Sequence, residues 1–266
     1  NRLEPVLIER ILPKDTSAIQ AGIYARAYRL FDAGNNISYL FSVILLPLFA
    51  AVIKNGENLQ TLVKQAFSLM LTMTCIIAIV CIFYSHNLME MLYPQGENEL
   101  LSTYNNRISE SSTILQILMG SFVSISVTYI FGTLLTANGN LKYLNIVAAV
   151  GVVINLTLNF IFIPIFEAKG AAFTSLCVQF ATCAIQFFIS KKIFKLKIGI
   201  SFWISVCSFI TLLTITTFAL KSLEIYWLYT FVISLGCGLI LAFVTKMLDF
   251  RELKDLIISS VKHIKK

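Results

Sequence analysis

The chain has 266 residues, of which 57% are hydrophobic and 13% charged, with a net charge of +7. A soluble domain carries roughly 45–50% apolar and about 25% charged residues, so lipid is the expected solvent and a water-soluble enzyme core is excluded. The positive balance would suit nucleic acid, but the way it is distributed along the chain follows the membrane instead, and no nucleic-acid partner is expected.

Seven stretches run for 21 or more residues without Asp, Glu, Lys or Arg: 33–53, 65–85, 111–141, 143–166, 170–190, 198–220 and 225–245. A helix needs roughly 20 apolar residues to cross a hydrocarbon core about 30 Å thick, and backbone polar groups in lipid must pair within the segment. The expected fold is therefore all-α, a polytopic transmembrane bundle of about seven spans.

In chain order, the first span begins near Ala18, ahead of its uncharged part, and carries a kink at Pro47. The second ends near Tyr84 and is followed by a short amphipathic piece at 87–93 and a loop. The polar segment 86–110 reads as loop, and the overlapping stretch 97–112 has no assigned element. Asn138-Gly139 makes a tight turn between the third and fourth spans. Pro164 closes the fourth span, and 167–170 links it to the fifth, where Gly170-Ala171-Ala172 allows close helix approach. Gly236 and Gly238 are expected to do the same in the last span. Trp203, Tyr226, Trp227 and Tyr229 fall near span ends, where amphipathic rings favour the interface. Residues 246–266 read as a basic amphipathic helix on the anionic inner leaflet, with membrane lipids as partners.

Lysines and arginines concentrate on alternate connections: Lys54 and Lys64, Lys142, then Lys191, Lys192, Lys195 and Lys197, then the tail. The intervening connections carry Glu90, Glu97, Glu99, Glu110, Glu167 and Glu224 among few basic residues. The positive-inside rule then places the C-terminus in the cytoplasm and the start of the first span outside. Such an orientation implies an upstream span, so 1–13 is expected to be the end of another transmembrane helix. The six cysteines all lie in apolar stretches and read as small hydrophobes, not as a disulfide framework or a zinc site.

Charge near the hydrocarbon region is expensive, about 2.5–3.5 kcal/mol per group on insertion scales, and usually faces a cavity or a partner. The first 32 residues hold Arg2, Glu4, Glu9, Arg10, Arg26, Arg29 and Asp32. At 100° per residue Arg26, Arg29, Ala33 and Asn36 share one sector, with Asp32 beside it. Guanidinium forks suit a phosphate or another anion. The candidate substrate-binding set is thus Arg26, Arg29, Asp32, Asn36, Arg2 and Glu4, and the alternative is that the arginines snorkel to lipid headgroups. Asn155 and Asn159, four apart, are expected to bridge helices. No catalytic constellation, cofactor motif or metal-ligand spacing is present, so an enzyme is not expected.

Two segments resemble the polysaccharide flippase branch of the multidrug/oligosaccharidyl-lipid/polysaccharide (MOP) exporter superfamily. Ala21-Gly22-Ile23-Tyr24 through Arg29-Leu30, with the later Leu45-Leu46-Pro47, is similar to that family's G-I-Y-x-x-A-x-[KR]-L and L-x-P pattern. Asn155 through Asn159, then Ile163-Pro164 and Gly170-Ala171-Ala172, is similar to its N-x-x-L-N…I-P…G-A-A block. The resemblance implies the second lobe of a two-lobed transporter of the bacterial inner membrane. Residues 18–190 would be five helices of that lobe, 198–245 two additional helices, and the first lobe would be an upstream partner. It also implies a flippase that moves undecaprenyl-pyrophosphate oligosaccharides, such as O-antigen units, by alternating access. H+ or Na+ coupling would fall to Asp32, Glu4 or Glu9. A MATE-like drug or cation antiporter is the alternative within the superfamily, and a membrane glycosyltransferase or polymerase the alternative outside it.

Overall fold

The computed structural model describes residues 3–248. The basic tail beyond Leu248 and the candidate residue Arg2 lie outside the described residues. The elements are α1 (Glu4–Ile11), α2 (Lys14–Asn55), α3 (Leu59–Phe83), α4 (Ser85–Leu92), α5 (Leu101–Ala137), α6 (Leu141–Ile193), α7 (Ile200–Lys221) and α8 (Trp227–Val244). Among the described residues every regular element is helical, as the charge-free runs require, and six of these helices are long and apolar enough to cross a membrane.

The seventh span is contained in α6. Gly132 of α5 faces both Leu144 and Gln186, residues that would stand about 63 Å apart on a straight helix. The helix therefore folds back on itself. The reversal is made at Glu167, whose backbone is non-helical (φ 53, ψ −133). Gly151 meets Val178 and the Phe162 ring meets Phe173 across the two arms, 141–166 and 168–193. Pro164 does not end the first arm, which runs two residues further. Gly170 is obligatory there: a Cβ would overlap the Phe162 carbonyl oxygen and sit 2.6 Å from its carbon.

Two expected boundaries move. The first long helix begins at Lys14, because Leu12 precedes Pro13 and is held extended (ψ 156), which separates α1 from α2. The segment 101–110, read as loop, forms the first turns of α5. It is polar but contains no glycine or proline, so the helix simply continues past the hydrocarbon. The true connection is only 93–100. Pro47 stays inside α2 on its exposed side.

Cross-helix bonds fix the directions. Gln20 pairs with Glu110, and further along Asn35 meets Tyr129, so α2 and α5 run parallel. Gln60 reaches the Lys197 carbonyl and Lys221 reaches the Phe83 carbonyl, so α3 and α7 also run parallel. Gly238 against Ile76 and Ser68 against Met247 set α8 antiparallel to α3. Lys54, Lys64, Lys142, Lys191–Lys197 and Lys246 thus gather at one end of the bundle. The acidic connections gather at the other, which matches the charge alternation read from the sequence. Two apolar clusters follow one another along the bundle. One is built on Tyr24, Tyr84, Met89 and Leu115 near the acidic end, the other on Phe49, Phe67, Phe131 and Phe209 near the lysine-rich end.

Gly238 packs as expected of a small residue, with Ile76 and Leu213 within 3.2 Å of where a Cβ would stand, whereas Gly236 faces open space. Of the cysteines, Cys75 and Cys81 are buried and Cys207 is exposed on α7.

Candidate functional site

Two polar features emerge, and the sequence-derived candidates divide between them. Glu4 opens α1 with Pro5 beside it, a position where proline suits the first helical turn. Its carboxylate is 1% exposed. Oε1 accepts from Ser175 Oγ at 3.0 Å and from Asn155 Nδ2 at 3.4 Å. Asn159 Nδ2 in turn donates to Asn155 Oδ1 at 3.0 Å. The four side chains tie α1 to both arms of α6, so the asparagines bridge helices as expected. The cluster is nevertheless incompletely satisfied. Glu4 Oε2 and Asn159 Oδ1 are buried without a hydrogen-bond partner. Tyr24 belongs to the same group, lying beside Glu4 and Ser175. A hollow of about 230 Å³ adjoins, lined by Glu4, Asn155, Gln179 and Thr182 among apolar neighbours. Unsatisfied buried oxygens cost about 1–3 kcal/mol each, so these two open acceptors in one cluster suit a proton or a cation.

The second feature is the outward side of α2. At 100° per residue Arg29, Ala33, Asn36, Ile37, Leu40, Val43, Ile44 and Pro47 fall within one sector of about 120°, and all of them are exposed. Its end nearer the acidic pole is polar, with Arg29 and Asn36. Its remainder is apolar, with Ile37 65% and Leu40 61% exposed. Buried serines on the opposite side hold α2 in place: Ser38 accepts from Ser126 Oγ at 2.8 Å.

Arg26 departs from the expected grouping. It is half-buried, its guanidinium 5.8 Å from the Tyr93 ring, while the Tyr93 hydroxyl donates to its carbonyl. Nearby, Glu99 accepts from Arg107 Nε at 2.8 Å and from Nη2 at 2.6 Å. This two-pronged bond holds the Glu99 carboxyl below its usual range. Arg26 thus belongs to the rim where α2 meets the 93–100 connection. Asp32 is half-buried on α2 beside the exposed sector. Glu9 is exposed and stands apart from the Glu4 cluster.

The sequence pointed to Glu4 but did not place Ser175 or Tyr24 around it. The signal lay in short polar side chains on otherwise apolar helices, and only the helix pairing shows that they converge.

A two-arm hairpin packed on parallel spans, a buried carboxylate and a long outward stripe define a polytopic membrane transporter. The model of the lipid II flippase MurJ family matches residues 16–244, and the chain belongs to that family, a member of the MOP superfamily. Family members move lipid-linked precursors across the membrane, and they transport rather than catalyse. Among curated proteins none matches the chain.

Proposed function

We propose that the chain translocates a polyprenyl-pyrophosphate-linked saccharide, with the exposed stripe of α2 as its track. The observation that carries this reading is the stripe's two-part character. A cationic and amide end, Arg29 and Asn36, suits a pyrophosphate and its first sugar. An uninterrupted apolar run to Pro47 suits the polyprenyl chain. The family favours a cell-wall precursor of the lipid II type. An O-antigen or other polysaccharide unit shares the same pyrophosphate chemistry and is the finer alternative.

The Glu4 cluster supplies a second element of the proposal, a site for a proton or a monovalent cation. A carboxylate taken out of water is costly unless neutralised, and here Glu4 Oε2 and the neighbouring Asn159 Oδ1 both lack a partner. Binding there would brace α1 against both arms of α6 and so bias the lobe between two arrangements, as alternating access requires.

The test replaces Arg29 in the full-length protein with Ala and with Lys. Loss of precursor translocation at normal protein level in Arg29→Ala, partly restored in Arg29→Lys, supports the track. Undiminished translocation in Arg29→Ala removes it.

A further inference from the structure

At the lysine-rich end, away from both features above, α3, α7 and the end of α8 enclose a hollow of about 700 Å³. Three ammonium groups from three separate segments border it: Lys64 on α3, Lys197 ahead of α7 and Lys246 just after α8. Its polar lining also includes Gln60, Ser68, Ser201 and Ser205, and among the described residues no carboxylate contributes. Among the described residues none of the three lysines pairs with an acid. Like charges brought together repel one another, and an anion seated among them would relieve that repulsion.

Local structure holds these groups in place. Ser68 donates to the Met247 carbonyl, fixing the end of α8, and Gln60 Nε2 donates to the Lys197 carbonyl at 3.1 Å. Lys246 takes a left-handed backbone (φ 58), a position that favours glycine. The first turn of α7 has no side-chain cap, and Gly199 and Ser201 present it to the hollow. Its free N–H groups and partial positive charge add to those of the lysines.

The adjoining sector of α7, displaced toward the helix middle, bears a second hollow, lined by Trp203, Ile204, Cys207, Thr211 and Leu212. That surface is apolar, with Ile204 62% exposed. A polar anion pocket next to an apolar groove, on a helix facing lipid, matches an amphiphile rather than a free ion.

We propose that this end of the bundle binds an anionic phospholipid, its phosphate among Lys64, Lys197 and Lys246 and one acyl chain along α7. The site is separate from the transport track and does not depend on it.

Trp203 and Trp227 are the only tryptophans, and Trp227 opens α8 at the opposite end. In a Trp227→Phe background, Trp203 alone reports on the groove. The full chain is reconstituted with phosphatidylglycerol or phosphatidylcholine carrying brominated acyl chains, and Trp203 quenching is measured. Bromo-phosphatidylglycerol is expected to quench at about tenfold or more lower mole fraction than bromo-phosphatidylcholine. The combined Lys64→Gln, Lys197→Gln and Lys246→Gln variant is expected to lose that preference, and the corresponding arginine variant to keep it, which separates lost charge from lost fold. Equal quenching by the two lipids, or a preference surviving in the glutamine variant, overturns the proposal. Relief of quenching by millimolar inorganic phosphate overturns the lipid assignment in favour of a free anion.

Discussion

The reversal in α6 can be tested by adding one methyl group. In Gly170→Ala the new Cβ would lie 2.6 Å from the Phe162 carbonyl carbon and 3.1 Å from the Ile163 nitrogen. Carbon atoms pack at about 3.5–4.0 Å, so the arms must part by roughly 1 Å. Both obstructing groups are backbone and no rotamer change relieves them. Overpacking of this kind costs about 1–3 kcal/mol, and a rigid contact belongs at the upper end. Alanine recovers about 1 kcal/mol of helix propensity over glycine, which leaves about 2 kcal/mol of destabilisation. For a chain of this size that corresponds to a fall of roughly 4–8 °C in apparent Tm. Gly236→Ala is the matched control, because its Cβ meets nothing within 4 Å. Detergent-solubilised variants followed by thiol-reactive dye unfolding would show Gly170→Ala melting lower and Gly236→Ala melting unchanged or slightly higher. Equal melting temperatures for the two would refute the hairpin geometry.

Two further outcomes follow from the polar groups. The Glu99 carboxyl is held below its usual range by Arg107, so its contribution to stability is full above the ordinary carboxylate value of about 4.3. That contribution is lost as pH falls through the depressed value. Melting profiles should therefore show an acid-side loss that is absent in Glu99→Gln, and it should shrink at high salt because the pair lies at the surface; identical acid profiles would remove the pair from the stability of the 93–100 connection. Glu4→Gln keeps an oxygen that can still accept from Ser175 and Asn155 but removes the negative charge and the titratable proton. It should fold normally and lose any dependence of translocation on the proton or sodium gradient, whereas a retained gradient dependence would place coupling elsewhere.

The spans were legible because their signal is local: a run of uncharged residues long enough to cross lipid is visible without knowing its neighbours. The turn at Asn138-Gly139 was legible for the same reason, and Gly139 does take the left-handed conformation (φ 74). The start of α5 was hidden because Asn105, Asn106 and Arg107 look like loop residues yet are compatible with a helix standing beyond the hydrocarbon. The Leu12-Pro13 break was available from the proline, but its effect depended on whether α1 packed separately. Arg26 and Arg29 share a helix sector in the sequence, and they diverge in the fold because Tyr93, 67 positions away, captures only the first. The Glu4 cluster is the extreme case. Its partners lie 151 and 171 positions away, and no spacing rule could bring them together.

The central claim is that the outward stripe of α2 carries the cargo, and photocrosslinking tests it most directly. A photoreactive residue placed at Leu40, Phe180 or Ile215 samples three surfaces of closely matched exposure, 61%, 68% and 59%. In the full-length protein, the lipid-linked precursor should crosslink at Leu40 on α2 and not at Phe180 on α6 or Ile215 on α7. Equal labelling at all three positions, or labelling at Phe180 or Ile215 but not Leu40, would contradict the account.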